Sequence, residues 1–430
     1  MRGDDQKIPE RLPLLDEYLK EHAAGKTPLT GVTAVLIQHQ MGSQVRMAEG
    51  LIRLGLDPNR IYWVDIPYTA NAAVRRALEG LGIPSENFSR PSYHLGKPYA
   101  AYQRRRVQEL FSKLRKSLGP KDRLLILDDG SYYLDAISCY AHSFPRVSIV
   151  EQTTRGIIKI QRDPALRYYC SRAPIINVAQ SAPKKNLESP FIGEAVCEAL
   201  GKRLRTVRFG KRDRCLILGF GAIGECVAQS LEERLGVAPS RIYVMDPHRN
   251  VQKKALRRGH RLWNRDSLGR LRFRLVVGCS GTTSFTIGDR VFLEDGAVLA
   301  SASSGSSELS REEFIDLADT IGDDDIYLKG KGSLRNRPIH SDIELHLVDR
   351  DVRFLNGGFP VNFDGRVNCV PPQFIQATHT LQVGAAVQAV QALNTKARGL
   401  IDLDQRLCDW VNGRFRHILK EHTNGGGRHP

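Results

Sequence analysis

The chain has 430 residues, a length that suits two globular domains with a small additional element. Hydrophobic residues make up 41% and charged residues 26%, as in an ordinary globular protein, and no apolar run approaches the roughly 18 residues that a membrane span requires. The net charge of +16 comes from basic runs without interleaved aromatic residues, which indicates solvated helix faces rather than nucleic-acid binding and leaves attraction for an anionic small molecule open.

Strand-like and helix-like segments alternate along the first half of the chain. The predicted strands are 33–38, 60–65, 123–128 and 147–151, and the predicted helices are 43–54 and 71–81. This alternation predicts a parallel sheet with crossover helices, and in such sheets ligands bind beyond the carboxyl ends of the strands. The polar residues at these ends are His39, Asp128, Asp129, Gln152 and Thr153.

A second α/β unit is predicted to begin near Phe191. Its predicted strands are 213–219, 241–246, 275–278 and 297–300, and its first helix is 222–235. Beyond it, the sequence predicts a basic loop at 330–338, an apolar helix at 377–392 and a disordered tail at 424–430.

The motif with the clearest mechanism is G-x-G-x-x-G at Gly219, Gly221 and Gly224, which follows a predicted strand and opens a predicted helix. Such glycines allow a tight turn and a close approach to a pyrophosphate. Asp246 follows Gly224 by 22 residues, where an acidic residue binds the ribose of NAD, while the nearby Arg249 leaves NADP as an alternative. The predicted cofactor-binding residues here are Gly219, Gly221, Ala222, Ile223, Gly224, Asp246, Cys279 and Ser280.

Several segments together resemble the S-adenosylhomocysteine hydrolase family, over about residues 30–395. The similar segments, in the family's order, are Leu127–Gly130, Glu151–Gly156, Ile176–Glu188, Gly219–Gly224 and Val361–Asn362. The resemblance implies two Rossmann-like, doubly wound α/β domains with parallel sheets. Residues 1–189 and 354–400 would form the substrate domain, 190–353 an inserted NAD domain, and 401–430 a C-terminal helix and tail.

The resemblance also implies a chemistry in which bound NAD reversibly oxidises a sugar hydroxyl, so that elimination and hydrolysis become possible. It implies acid–base roles for His39 and Asp129, a base near the oxidised hydroxyl at Lys184, and a partner for that lysine at Glu188. Thr153, Thr154 and Asn362 fall on positions that contact NAD, and the family's members are homo-oligomers.

This sequence departs from the family pattern at several positions. The family has threonine where Met41 stands, an adenine-reading glutamate at Ser43 and a ribose-holding glutamate at Gln152. Other motif residues are replaced at Ser189, Ser303–Ser304 and 369–372, and the C-terminal lysine and tyrosine have no counterpart in 425–430.

Three functions therefore stay open. The first is a divergent enzyme that uses bound NAD on a small nucleoside-like or sugar-like substrate, by elimination or hydrolysis. The second is a plain NAD-dependent dehydrogenase, for which His340 and His346 are candidate catalytic histidines. The third is a catalytically inactive NAD-binding regulator.

The cysteines and the N-terminus suggest a reducing compartment. None of the eight cysteines forms a C-x-x-C pair, so neither a metal site nor a redox motif is predicted, and buried reduced thiols are expected. Because the charged N-terminus has no apolar core, it does not resemble a secretory signal, and a cytoplasmic location is expected.

Overall fold

The computed structural model describes residues 7–22, 24–90, 92–137, 144, 146–207, 212–266, 271–320, 334–395 and 397–425. Parts of two predicted segments lie outside these residues, namely 330–333 of the basic loop and 426–430 of the tail, and so does Cys139.

Helices and strands alternate over most of the described chain. The helices are α1 (Pro13–His22), α2 (Gly42–Arg53), α3 (Ala72–Gly80), α4 (Tyr99–Ser117), α5 (Tyr132–Ile137), α6 (Thr154–Arg162), α7 (Pro164–Cys170), α8 (Ser189–Leu204), α9 (Ala222–Leu235), α10 (Arg249–Arg257), α11 (Arg311–Thr320), α12 (Pro372–Ala392) and α13 (Gln405–Gly425). The strands are β1 (Val32–Gln38), β2 (Ile61–Asp65), β3 (Arg123–Asp128), β4 (Val147–Glu151), β5 (Pro174–Asn177), β6 (Cys215–Leu218), β7 (Ile242–Met245), β8 (Arg261–Leu262), β9 (Phe273–Gly278), β10 (Leu293–Ser301), β11 (Ile343–Leu347), β12 (Arg350–Phe354) and β13 (Gly399–Asp402).

The chain divides into two compact units, and each contains one sheet. Unit 1 comprises Met1–Pro91, Ala101–Glu188 and Arg366–Pro430, and unit 2 comprises Ser92–Ala100 and Ser189–Gly365. Both segments of unit 2 lie between segments of unit 1 along the chain. The predicted class of two parallel-dominated, doubly wound α/β sheets is confirmed. The functions that the sequence assigns to the two domains stay predictions.

The sheet of unit 1 is parallel throughout, in the order β13-β5-β4-β3-β1-β2. Strands β1 and β4 are buried along their whole length, which explains their continuous apolar runs. Ile37 pairs with Asp128, and Asp128 pairs with Glu151, so the residues that follow β1, β3 and β4 meet at one edge. The strand order reverses between β1 and β3, and such a switch point leaves a crevice for a ligand.

Helix α12 is the central helix of unit 1 and packs against α1, α2 and the sheet. It is buried around most of its circumference, including the polar residues Gln376, Thr378, His379 and Gln382. In an amphipathic helix such polar side chains would face water. Because they are buried here, they need hydrogen-bond partners within the unit.

The sheet of unit 2 has the order β11-β12-β10-β9-β6-β7-β8, with the switch point between β6 and β9. Leu218 pairs with Met245 on one side and with Gly278 on the other, so Gly219, Asp246 and Cys279 follow at the same edge. The edge pair β11–β12 is antiparallel, unlike the rest of the sheet. The sequence did not predict this hairpin because its turn lacks an Asn-Gly or Asp-Gly dipeptide. Among the described residues, no helix is both long and apolar enough to span a bilayer.

Candidate functional site

Two adjacent aspartates at the end of β3, Asp128 and Asp129, have different hydrogen-bond and charge partners. The carboxylate of Asp128 accepts the N–H groups of Tyr132 at 3.0 Å and Tyr133 at 2.8 Å, and it thereby caps α5. Asp129, which is 3% exposed, instead lies beside His39. Asp128 is therefore the aspartate that caps the following helix, whereas Asp129 faces His39.

Glu151, at the end of β4, holds the same turn from below. Its carboxylate accepts the N–H groups of Ser131 at 2.7 Å and Thr153 at 2.8 Å, together with both of their hydroxyls. A side chain at Gly156 would put its Cβ 2.4 Å from the carboxyl carbon of Glu151, so only glycine fits there. Burial raises the pKa of both Asp128 and Glu151, and the charge of Asp128 raises the pKa of Glu151 further. These two carboxyl groups are structural supports for the turn.

His39 and Asp129 form the first acid–base pair of the site. The His39 Nε2 atom lies 3.3 Å from Asp129 Oδ2, and its Nδ1 atom lies 3.1 Å from the hydroxyl of Thr69. Burial lowers the pKa of His39, an effect that Asp129 opposes and Lys184 reinforces. The imidazole is therefore neutral near pH 7 and able to accept a proton.

Lys184 and Glu188 form the second pair, on the single π-helical turn Lys184–Glu188. The ammonium group donates to Glu188 Oε1 at 2.5 Å and to the hydroxyl of Thr378, on α12, at 3.0 Å. Burial raises the pKa of Glu188, and Lys184 opposes that rise. The π-turn is an irregularity often found at functional sites, and here it places the lysine beside a buried carboxylate.

Uncharged side chains extend from Asp129 to α12, and the sequence had indicated only Gln152 and Ser43 among them. Gln152 donates to Asp129 Oδ2 at 2.5 Å and to Gln38 Oε1 at 3.2 Å, and Gln382 donates to the same oxygen at 3.2 Å. Gln382 Oε1 lies 3.1 Å from His379 Nδ1, and His379 Nε2 lies 2.9 Å from the hydroxyl of Ser43. We call these five side chains and Asp129 the amide network: Gln38, Ser43, Gln152, His379 and Gln382.

A signal for the missed residues exists in the sequence of α12. Thr378, His379 and Gln382 interrupt an otherwise alanine- and valine-rich helix within two turns. Such a polar group in a buried helix predicts a hydrogen-bonded cluster, although only the tertiary structure reveals that its partners are Lys184, Ser43 and Gln38.

The glycine motif in unit 2 meets the steric conditions for a dinucleotide turn. Gly219 has φ +86°, and its Cβ would lie 2.7 Å from the Ser280 Cα atom. A Cβ at Gly224 would lie 2.1 Å from the carbonyl oxygen of Gly219, so this residue allows α9 to approach β6. Nothing lies within 4 Å of a Cβ at Gly221, which precedes the first residue of α9. The open side of the turn is therefore above the helix N-terminus, where Ala222 and Ile223 begin the first turn of the helix.

Asp246 connects the end of β7 to this turn. Its Oδ2 atom accepts the N–H of Phe220 at 2.9 Å, and its Oδ1 atom accepts the N–H of His248 at 2.9 Å. Each carboxylate oxygen can accept more than one hydrogen bond, so the group keeps capacity for ribose hydroxyls. Arg249, which the sequence offered as an NADP contact, is exposed at the start of α10.

Cys279 and Ser280 follow β9 and lie on the opposite side of the glycine turn. The N–H of Cys279 donates to the carbonyl of Leu218 at 2.7 Å, and burial raises the pKa of its thiol well above the ordinary value. Ser280 donates from its hydroxyl to the buried carboxylate of Glu308 at 2.8 Å. The sequence had not indicated Glu308, which lies in a serine-rich segment without a recognised motif.

The remaining candidates are distributed between the units. Thr153 and Thr154 lie in unit 1, where Thr153 caps α6 by accepting the N–H of Gly156 at 2.9 Å and Thr154 is exposed. Asn362 lies in unit 2 and is 3% exposed, directly after Val361, whose N–H donates to Ser301. Their contacts with NAD stay predictions.

The two histidines of the dehydrogenase hypothesis also lie in unit 2. His340 Nδ1 is 3.2 Å from Asn356 Oδ1, and burial lowers the pKa of this histidine. His346 pairs with Asp351 across the β11–β12 hairpin, at the opposite side of the sheet from β7. Three strands, β12, β10 and β9, lie between His346 on β11 and the strand β6 that precedes the glycine turn.

Comparison with known proteins gives relatives of unestablished activity. No family model matches the chain. Two proteins of Mycobacterium tuberculosis, uncharacterized protein Rv0104 of strain H37Rv and uncharacterized protein MT0113 of strain CDC 1551, are each 27% identical over 410 residues, which is 93% of this chain and 73% of theirs.

Among solved structures, two dipicolinate synthase A subunits are distantly similar. The Bacillus subtilis protein matches at a TM-score of 0.33 and 9% identity, over 66% of this chain and 85% of its own. The Bacillus halodurans protein matches at 0.34 and 10%, over 66% and 86% respectively.

Proposed function

We propose that the protein is an NAD-dependent enzyme that acts on a nucleoside-like or sugar-like substrate by redox-assisted elimination or hydrolysis. One observation carries the proposal. The four residues that the resemblance to S-adenosylhomocysteine hydrolase assigned to acid–base catalysis and its support form two close pairs within unit 1, with His39 3.3 Å from Asp129 and Lys184 2.5 Å from Glu188. His39 follows β1 and Asp129 follows β3, so the contact of this pair does not follow from sequence adjacency, whereas Lys184 and Glu188 share one helical turn.

Unit 2 would hold the cofactor. The residues that fit this role are Gly219, Gly221 and Gly224 around an open helix N-terminus, with Asp246 beside the turn. When bound, NAD would accept a hydride from the carbon that bears a substrate hydroxyl, and the resulting ketone would make the neighbouring carbon–hydrogen bond acidic. The other predicted contacts, Thr153, Thr154, Cys279, Ser280 and Asn362, belong to the same proposal.

The side chains of unit 1 would handle the protons. In its uncharged form Lys184 takes the proton of the substrate hydroxyl, and Glu188 and Thr378 fix the nitrogen that does so. Neutral His39 accepts or returns a proton at the neighbouring carbon, and Asp129 stabilises the imidazolium that forms. General acid–base groups of this kind contribute on the order of 10²–10⁴-fold each.

The substrate need not contain adenine. Ser43, which replaces the family's adenine-reading glutamate, is occupied by His379 through its hydroxyl and by Asn368 through its N–H at 3.1 Å. A neutral serine held in this way cannot supply the carboxylate contacts of the family, which favours a different nucleoside or sugar.

The test begins with the cofactor. We expect mass spectrometry of small molecules released from the denatured protein to detect NAD, and titration to show tighter binding of NAD than of NADP. Asp246→Ala should weaken NAD and narrow that preference, because a carboxylate beside a 2′-phosphate is unfavourable. The matched control is Asp266→Ala, which changes an exposed aspartate of the same unit. Equal or tighter binding of NADP by the unmodified protein would contradict the assignment of Asp246.

A further inference from the structure

The buried carboxylate of Glu308 gathers the polar groups of one loop in unit 2. It is 2% exposed and lies between β10 and α11. Its Oε1 atom accepts the N–H of Ser280 at 3.1 Å, the hydroxyl of Ser280 at 2.8 Å and that of Ser284 at 2.5 Å. Its Oε2 atom accepts the N–H of Gly281 at 2.9 Å. Every one of these donors belongs to the loop that follows β9.

This loop forms one wall of the glycine turn. The Ser280 Cα atom would lie only 2.7 Å from a Cβ at Gly219, so the two backbones are as close as glycine permits. At the other side of the loop, a Cβ at Gly278 would lie 2.2 Å from Glu308 Cγ. Two glycines therefore allow the carboxylate, the loop and the turn to pack in successive layers.

We propose that Glu308 is a positioning residue for the dinucleotide site, because it fixes Ser280 and Gly281 against the turn at Gly219. This inference rests on the proposed binding of NAD by unit 2. Without the carboxylate, the N–H groups of Ser280 and Gly281 and the hydroxyls of Ser280 and Ser284 each lose one acceptor, so the loop is held less firmly. Cofactor binding then has to order the loop again, and that ordering lowers the affinity.

A role in fold stability alone would distribute the contacts of Glu308 over several elements. Its side-chain hydrogen bonds instead go to residues 280–284 and to Ser303, whose hydroxyl also accepts the N–H of Gly281 in that loop at 3.0 Å. Its backbone carbonyl also accepts the N–H groups of Ser284 at 2.9 Å and Phe285 at 3.2 Å, in the same segment. Loss of the carboxylate should therefore affect the loop and the cofactor more than the rest of unit 2.

The experiment measures the dissociation constant for NAD by calorimetry in Glu308→Gln. Glutamine keeps the shape of the side chain, but its amide group presents hydrogens to the loop's N–H donors, so we expect about tenfold weaker binding. Hydrogen exchange without NAD should rise in peptides covering 279–284 and stay unchanged in β6 and β7. The control is Glu313→Gln, an exposed residue of α11 that accepts the N–H of Ile287 at 3.0 Å and keeps an acceptor oxygen as glutamine. Its NAD affinity should equal that of the unmodified protein.

The outcomes separate this inference from the proposed function. If the unmodified protein binds no NAD, the proposed function is wrong. If the unmodified protein binds NAD and folded Glu308→Gln binds it equally well, the positioning role is wrong. Should Glu308→Gln not fold, Glu308→Asp retains the charge one methylene further from the loop and should bind several-fold more weakly. Failure of both variants to fold would show a role in folding rather than in positioning.

Discussion

Uncharged side chains surround the ionisable groups of unit 1 for which proton transfer is proposed. Gln152 donates a hydrogen bond to Asp129 Oδ2 at 2.5 Å and has no ionisable group, so it adds no further charge beside Asp129 and His39. A glutamate at this position would place two carboxyl groups in contact, and one of them would hold a proton. At the scale of single residues, this replacement separates the chain most clearly from the family pattern.

Lys184 is the residue at which the candidate functions differ most. Lys184→Ala should leave NAD binding in unit 2 unchanged and abolish reduction of bound NAD by a panel of nucleosides and sugars, followed as NADH absorbance. Lys184→Arg should fail as well, because arginine does not release its proton at working pH. The exposed neighbour Lys185 supplies the control Lys185→Ala.

Two results would change the interpretation of this site. Normal NAD reduction by Lys184→Ala would move the chemistry elsewhere and favour the dehydrogenase. If the unmodified protein binds NAD but reduces it with none of the substrates, the regulator hypothesis becomes the better one.

His379 should make part of the protein's stability depend on pH. Burial lowers its pKa to about 4, whereas an unfolded histidine has its ordinary, higher value of 6.5. The unfolded chain therefore binds more protons between these values, and the stabilising contribution present above pH 6.5 is lost as the pH falls toward 4. The full difference corresponds to about 3 kcal/mol.

Urea unfolding at pH 7.0 and 4.5 measures this contribution. The free energy of unfolding should fall less with pH in His379→Gln than in the unmodified protein, since glutamine carries no proton to bind. His22→Gln, at a more exposed position, should show the unmodified slope. An unchanged slope in His379→Gln would mean that other groups cause the acid sensitivity.

At the scale of secondary-structure elements, local pattern predicted the strands better than their partners. The segments 123–128 and 147–151 were predicted with the bounds of β3 and β4, because continuous apolar runs mark strands buried on both faces. The helix at 222–235 coincides with α9, since Gly221 and Gly236 delimit it. Short strands such as β5 and β13 were not predicted, as four residues carry too little periodicity.

The site residues of α12 were missed for a related reason. Periodicity predicted a helix at 377–392, and the structure extends it to Pro372. The pattern does not reveal which buried face meets Lys184 and which meets Gln38, because both contacts join residues far apart in the chain. The partners of the α12 side chains are set by tertiary packing, and the local sequence pattern does not predict them.

The glycine turn between β6 and α9 provides a contrast between folding and binding. A Cβ at Gly224 would lie 2.1 Å from the carbonyl oxygen of Gly219, so Gly224→Ala should lower the free energy of unfolding by about 1–3 kcal/mol or more. Gly221 has φ −71° and open space around a Cβ, so Gly221→Ala should leave stability within about 0.5 kcal/mol.

Binding should respond differently from folding. Gly221→Ala should weaken NAD binding at least about tenfold, because the backbone there has to approach the pyrophosphate closely. Thermal unfolding and calorimetric titration of both variants make the comparison. Wild-type NAD affinity in Gly221→Ala would place the cofactor away from this turn.

At the scale of the whole molecule, the two sheets share one topological feature, a reversal of the strand order near the first strand. Each reverses its strand order beside the first strand of its unit, between β1 and β3 in unit 1 and between β6 and β9 in unit 2. In both units the polar or glycine residues identified from the sequence follow the strands at that switch point. The general rule for ligand sites in such sheets could therefore be applied to the sequence alone. Local pattern does not show which segments of the chain share a unit, such as Ser92–Ala100 in unit 2.

The resemblance to S-adenosylhomocysteine hydrolase covers some parts of the proposed site and not others, and this leads to a prediction for the whole protein. The acid–base pairs and the dinucleotide motif resemble those of the family, whereas Met41, Ser43 and Gln152 differ from its pattern. An enzyme that offers no hydrogen-bond partners to the polar edge of a substrate can lose a factor of about 10⁴ in selectivity for that substrate. We therefore expect homocysteine release from S-adenosylhomocysteine to be far slower than the roughly 1 per second of an ordinary enzyme. A direct assay of homocysteine on NAD-loaded protein measures this, with Lys184→Ala as the blank. Turnover near or above that rate would mean that other side chains of unit 1 recognise adenine, and the protein would then have the family's own activity despite the loss of its glutamates.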